Sequence, residues 1–226
     1  MYFKESDQMP FVTSDPHYFH HNITQYCSRP FKSEQAMRNK LLENYNDLVP
    51  KDGTCFFIGD MAMIGTSQWE KMKALLNKMN GTKHLILGNH DEIKPFRYID
   101  CGFTSVHTSL VITMQIGVYE VKFCLNHDPC VWDLVPDDVI LLCGHVHNLF
   151  KILPDKNVVN VGVDVWNFKP ITFFEAWDTL NKWKQKEYAD LQSLKFRDIP
   201  LREEVIEDRH KEEKWQKELK KKNQKQ

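Results

Sequence analysis

The run Leu85, Ile86, Leu87, Gly88, Asn89, His90, Asp91 carries an apolar strand into a turn that presents an amide, an imidazole and a carboxylate side by side. An apolar strand ending at Gly delivers such groups to the carboxyl edge of a sheet, where open α/β folds build their sites. Four more runs share this grammar. Phe11 to Ser14 leads into Asp15, Pro16 and His17; Thr54 to Ile58 leads into Gly59 and Asp60; Val121 to Leu125 leads into Asn126, His127 and Asp128; and Val139 to Cys143 leads into Gly144, His145, Val146 and His147. Five of the ten histidines fall in these clusters, and His20 and His21 follow one closely. Imidazole, carboxylate and amide oxygen suit borderline or hard divalent ions, whereas a soft site would use thiolate. Seven candidate ligands exceed what one ion usually takes at a catalytic site. Two ions sharing a carboxylate fit better, and such pairs, ~3.5–4 Å apart, clamp the attacking and leaving oxygens of a phosphoryl displacement.

Each motif alone has an ordinary reading. Asp15 to His17 is a turn at a strand end, Gly59 with Asp60 is a common turn dipeptide, and His145 and His147 could be a polar strand edge. Recurrence of the same pattern at five strand ends is what points to chemistry.

Helical periodicity fills the intervals that must hold these strand ends in place. Ser33 and Glu34 start a helix through Met37, Leu41, Leu42, Tyr45 and Leu48. Ser67 and Glu70 form a capping-box pattern ahead of Met72, Leu75, Leu76 and Met79, and Asn80 with Gly81 stops that helix. Asn157 to Val165 reads as a further strand, and Thr172 with Glu175 can cap a helix carrying Phe173, Phe174, Trp177 and Leu180. Alternation of strand and helix is the α/β pattern.

The ordered set Asp15/His17, Gly59/Asp60, Gly88/Asn89/His90/Asp91, His127 and Gly144/His145/Val146/His147 resembles the signature of the calcineurin-like metallophosphoesterase family. The resemblance covers most of the first two-thirds of the chain. It implies a four-layer αββα sandwich, two mixed β-sheets face to face with helices outside, and a dinuclear metal centre on the loops. It implies that Asp15, His17, Asp60 and His147 hold one ion and that Asp60, Asn89, His127 and His145 hold the other, with Asp60 bridging. By the same resemblance His90 is the catalytic group that meets the transition state rather than a ligand. The ions would lower the pKa of a shared water toward about 7 and supply hydroxide, while His90 stabilises charge and protonates the leaving oxygen. Asp91 is expected to cap the turn that follows it in preference to orienting His90. Manganese is the leading expectation for the two divalent ions, with Fe, Ni and Zn as alternatives.

Composition points to an ordinary enzyme domain. With 226 residues and 42% apolar content the chain can bury one sizeable core. The expected division is a phosphoesterase domain over 1–180 and a charged, mainly helical extension over 181–226, which is either solvated or a homo-oligomerisation arm using Val205, Ile206, Trp215 and Leu219. The net charge of −1 argues against a dedicated nucleic-acid-binding module. Six cysteines without a CxxC pair, a charged start without an apolar h-region and no long apolar run lead to the expectation of a cytoplasmic protein without a membrane span.

A subset of small family members is more similar still, through Asp15 to Ile23, Arg29 to Phe31 and Asn160 to Trp166. The expected substrate is a small phosphodiester or phosphomonoester, such as a nucleotide. His20 and Arg29 are candidate phosphate contacts, with a supporting role as the alternative. Trp166 and Phe168 are expected to pack rather than to stack on a base. A phosphoprotein phosphatase is the competing enzyme reading, weakened because Asp60 continues Met61, Ala62, Met63, Ile64, Gly65 without the Asp-Arg pair of those enzymes. A non-catalytic metal-binding scaffold is the third.

Overall fold

The computed structural model describes residues 1–4, 7–65, 68–91 and 94–190. Ser67 and the expectations for the chain beyond residue 190 lie outside the described residues. The chain divides into Met1–Tyr188 and Ala189–Gln226, and the fold is that of the first unit.

In chain order the strands are β1 (Tyr2–Phe3), β2 (Phe11–Thr13), β3 (Thr54–Ile58), β4 (Thr82–Ile86), β5 (Ser105–His107), β6 (Leu110–Ile116), β7 (Tyr119–Leu125), β8 (Val139–Cys143), β9 (Ile152–Leu153), β10 (Val158–Asn160) and β11 (Ile171–Thr172). The helices are α1 (Ile23–Tyr26), α2 (Glu34–Leu48), α3 (Trp69–Leu76), α4 (Pro95–Cys101) and α5 (Phe173–Asp190). One sheet has the order β11-β2-β3-β4-β5, parallel from β2 to β5 with β11 antiparallel. The other is mixed, in the order β1-β6-β7-β8-β10-β9. Two mixed sheets with flanking helices are the α/β sandwich expected.

The central strands of the first sheet read as unbroken apolar runs because both faces are covered. Phe56, Ile58 and Ile86 turn inward and meet Ile112, Phe123, Leu125, Leu142 and Val159 of the second sheet. Their neighbours Cys55, Phe57 and Leu85 turn outward onto Met37, Leu41 and Tyr45 of α2 and Met72, Leu75 and Leu76 of α3. α2 begins where Ser33 accepts the amide of Ala36 at 3.2 Å and ends ahead of Pro50. α5 closes the core between the sheets with Phe173, Ala176 and Leu180, a helical spacing, and passes position 180 in mid-helix.

The outer face of the second sheet is dressed differently. There a 3-10 turn, Pro129–Leu134, and its flanks bring Val131, Trp132 and Val135 onto Leu141, Cys143, Leu153 and Val158. The β7 to β8 crossover carries Pro129 and Pro136, which break a longer helix.

The strand expected over Asn157 to Val165 is shorter, Val158–Asn160. Asn160 Oδ1 takes the amide of Gly162 at 2.8 Å, and a 3-10 turn follows over Val163–Val165. The chain leaves the second sheet here to join the first. Ser14 donates its amide to Val161 at 3.1 Å and accepts that of Val163 at 3.0 Å, so the carboxyl ends of the two sheets are tied together.

Candidate metal centre

Register brings the motif turns together. Ile58 pairs with Ile86, which sets Asp60 beside Gly88, and Leu125 pairs with Leu142, which sets His127 beside Gly144, the residue before His145. Cross-turn bonds then lock them. Asp15 donates its amide to Gly59 and His17 donates its amide to Asp60, at 3.2 and 3.1 Å, while Asp15 Oδ1 and Oδ2 accept the amide of His145 at 3.0 and 3.1 Å. The hydroxyl of Ser14 donates to the carbonyl of Ile58. Asp91 supports structure from the other side of the turn than expected, binding the turn before it rather than the one after. Its carboxylate accepts the amides of Gly88, Asp60 and Met61 at 2.8, 2.8 and 3.0 Å and the Tyr98 hydroxyl at 3.2 Å, joining the turns after β3 and β4.

These turns run so close that Gly88 and Gly144 have no room for a side chain. A Cβ on Gly88 would strike the amide and carboxylate of Asp60, and one on Gly144 would strike Ser14 and the Asp15 carboxylate. The backbone itself is strained. Asp15, His17, Asp60, His145 and His147 have φ of 56°, 48°, 51°, 71° and 47°, half of the ten non-glycine residues with positive φ among the described residues. Each such placement costs on the order of 1 kcal/mol and persists only where the surroundings dictate it.

The side chains of these turns form two groups. Asp15, His17 and His147 offer ligand atoms within 4.8 Å of one another, and so do Asp60, His127 and His145. Asn89 belongs with the second group: its Oδ1 lies 2.8 Å from His145 Nδ1 and 3.0 Å from His127 Nε2. Asp60 lies between the groups. Its Oδ2 is 3.5 Å from His17 Nε2, 3.3 Å from His127 Nε2 and 3.9 Å from His90 Nε2. His90 donates its amide to Asp60 Oδ1 at 2.8 Å, and its ring centre stands 5.4 Å from that of His17.

Electrostatics suit cations. Burial pushes the His17 imidazole well below its usual range, so the ring is neutral. Neither of its buried nitrogens has a hydrogen-bond partner, a costly state that a metal ion would relieve. Burial alone would raise Asp60, but His127, His17 and His90 together hold it well below the usual carboxylate range. Burial opposes charge on His127, yet Asp60 brings its pKa up to about 10. Burial, reinforced by the charge of Asp60, lifts Asp91 to about 6. His127 Nδ1 sits 2.8 Å from the Ile58 carbonyl, which accepts only, so Nδ1 carries a proton there. The residues present therefore fit divalent ions.

The two candidate phosphate contacts are placed differently. His20 is buried beside His17, with ring centres 5.5 Å apart, and 5.9 Å from the ring of the exposed Tyr26. Arg29 is a correction. Its guanidinium is buried and all five N–H groups are engaged: by Asp164 through Nε and Nη2 at 2.7 and 2.8 Å, by the Asp15 and Pro16 carbonyls at 2.8 and 3.1 Å, and by Met37 sulfur at 3.4 Å. A phosphate could reach it only by breaking those bonds. Trp166 and Phe168 pack as expected: the Trp166 indole donates to the Asn160 carbonyl at 2.7 Å, and Phe168 meets Phe31 edge-on at 4.8 Å.

Sequence reasoning missed Asp164, whose Oδ2 lies 2.9 Å from His147 Nδ1, and Asn160, which donates to the His147 carbonyl at 2.7 Å. The signal was present in the Asn160 to Trp166 motif, which carried no assigned role.

The calcineurin-like phosphoesterase family model matches residues 11–225, nearly the whole chain. The chain belongs to the calcineurin-like phosphoesterase family. It is 30% identical over 168 residues to an uncharacterized protein of Methanocaldococcus jannaschii, across 72% of this chain and 85% of that one. It is 24% identical over 199 residues to the gene 66 protein of Mycobacterium phage L5, across 77% of this chain and 95% of that one. A crystal structure of a protein of unknown function from Aquifex aeolicus shares the fold with a TM-score of 0.57 at 20% identity, covering 76% of this chain and all of that one. Family membership makes this member a phosphoester hydrolase that uses divalent metal ions. No helix among the described residues is long and apolar enough to cross a membrane.

Proposed function

We propose that this phosphoesterase works with two divalent ions, manganese foremost, on small phosphodiesters or phosphomonoesters of the kind nucleotides present. The observation that carries this reading is Asp60. One carboxylate oxygen stands within 3.5 Å of Nε2 of a histidine from each flanking group, the placement a shared ligand requires. Asp15, His17, Asp60 and His147 would hold one ion, and Asp60, Asn89, His127 and His145 the other. When bound, the ions supply a water acidic enough to ionise near neutral pH and a positive field for the phosphate oxygens.

The chain's own residues do the rest. Asp91 and the Gly88 turn hold Asn89 and His90 against the Asp60 loop, so the His90 ring is fixed beside the shared carboxylate. From there His90 hydrogen-bonds an equatorial or leaving oxygen as negative charge grows on it, and hands its proton to the departing alkoxide. The absence of the Asp-Arg pair after Gly59, Asp60 weighs against a phosphoprotein phosphatase, and the presence of His90 weighs against a silent scaffold.

The test strips the protein of metal, reloads it separately with Mn, Fe, Ni or Zn, and assays an aryl phosphodiester, an aryl phosphomonoester and a phosphopeptide. Turnover of the small esters with two ions per chain is expected. Turnover of the phosphopeptide alone would establish the phosphatase reading instead, and normal metal uptake with no turnover would establish the scaffold.

A further inference from the structure

Two sequence motifs, Arg29 to Phe31 and Asn160 to Trp166, take no part in the reading above, and the fold brings them together behind one metal-site histidine. Asp164 lies between Arg29 and His147. Its Oδ1 accepts Arg29 Nε at 2.7 Å, and its Oδ2 accepts Arg29 Nη2 at 2.8 Å and lies 2.9 Å from His147 Nδ1. The pair is sealed from solvent, with side-chain exposures of 0% for Arg29 and 3% for Asp164. The other donors of Arg29 hold the carbonyls of Asp15 and Pro16, inside the turn whose Asp15 and His17 are left-handed. One guanidinium thus ties the loop that carries two ligands to the acid that orients a third. On the far side, Asn160 holds the backbone of the left-handed His147 through its carbonyl and also binds the carbonyl of Phe150, at 2.7 Å each.

We infer that Asp164, held in place by Arg29, is the positioning residue of the site formed by Asp15, His17 and His147. A carboxylate whose oxygens already take Arg29 can only accept from His147, which puts the ring proton on Nδ1 and leaves Nε2 as the metal-facing atom. A histidine ligand oriented by a carboxylate loses one to two orders of magnitude in metal affinity when that partner is removed. In the other group, His127 takes its orientation from the Ile58 carbonyl instead. The effect of the bracket is therefore one-sided. Cys27, His147 and Asp164 also present ligand atoms within 4.8 Å of one another. The commitment of Asp164 to Arg29 makes that trio a buttress rather than a third ion site.

This inference rests on the two-ion reading, and the experiment separates the two. Metal-free wild type, Asp164→Asn and Arg29→Lys are titrated with Mn²⁺ by calorimetry, and Asn89→Ala marks which binding step belongs to the second group. The Asp164→Asn protein should weaken the step that survives in Asn89→Ala by about 10–100-fold and leave the other within about twofold, with an unchanged near-ultraviolet circular dichroism spectrum. Arg29→Lys keeps the charge but loses the fork, so it should weaken the same step by a smaller factor; it serves as the test if Asp164→Asn fails to fold. Equal weakening of both steps, or of neither, would overturn the assignment of Asp164. A wild type that takes up a single ion would overturn the two-ion reading, and the bracket would then be judged on whether Asp164→Asn weakens that ion.

Discussion

His90 and Asp60 lie within 3.9 Å of each other and are expected to fail in opposite ways. Replacing His90 with Ala removes a group that touches substrate but no proposed ligand, so both ions should stay while turnover falls about 10²–10⁴-fold. Replacing Asp60 with Ala removes the carboxylate shared by both groups, and both ions should be lost. Elemental analysis of the dialysed variants beside their kinetics checks the pair, and loss of metal from His90→Ala would move His90 into the ligand set. Asp91→Asn belongs at this scale too. The amide replaces one acceptor with donors facing the amides of Asp60, Gly88 and Met61, and an unsatisfied buried group costs about 1–3 kcal/mol. Urea unfolding of the metal-free variant should show that loss. The residue types of the centre were legible in sequence because strand ends announce themselves by composition. Arg29 was not, since its carboxylate partner lies 135 positions away and nothing local distinguishes an arginine that grips a phosphate from one that grips a turn.

At the scale of elements, legibility followed periodicity. The helix expected from Ser33 and Glu34 is α2, with the expected cap, because a stripe of Met37, Leu41 and Tyr45 has to face a sheet. Ser33→Ala should therefore cost about 1 kcal/mol, seen as a fall of roughly 2–4 °C in Tm for a chain of this size, with metal content unchanged. The strand expected over Asn157 to Val165 was too long for a different reason. Periodicity registers apolar residues but not a chain leaving one sheet to hydrogen-bond another, and Val161 and Val163 are buried in just such a crossing. The outer face of the second sheet likewise carries a 3-10 turn, decided by two prolines more than by any apolar pattern.

For the molecule as a whole, the centre sits where two sheets are tied at their carboxyl ends, so ion binding and folding are linked. A ligand that binds only the folded state at 100 times its Kd adds about 2.7 kcal/mol. At roughly 2–4 °C per kcal/mol, a chelator should lower Tm by roughly 5–10 °C for each ion removed. Differential scanning fluorimetry with and without EDTA, followed by readdition of Mn²⁺, measures it. A Tm indifferent to chelation would mean that the turns are held by the protein alone. The α/β class was legible from strand and helix alternation and the sandwich followed from the family resemblance, whereas the joining of the sheets through Ser14 and Val163 was not legible, because a backbone bridge leaves no mark on composition.

The left-handed turns have a consequence for how this protein ages in evolution. Five proposed ligands occupy a backbone region that glycine enters freely and that every other residue, aspartate and histidine included, enters at a cost. At His145, with φ 71°, a change to Gly removes that cost along with an ion ligand, so the metal-free His145→Gly protein should unfold in urea no earlier than the metal-free wild type. Selection for hydrolysis is then what keeps these side chains in place. In a descendant released from it, the ligand positions would drift before the core does, and the fold would outlive its chemistry.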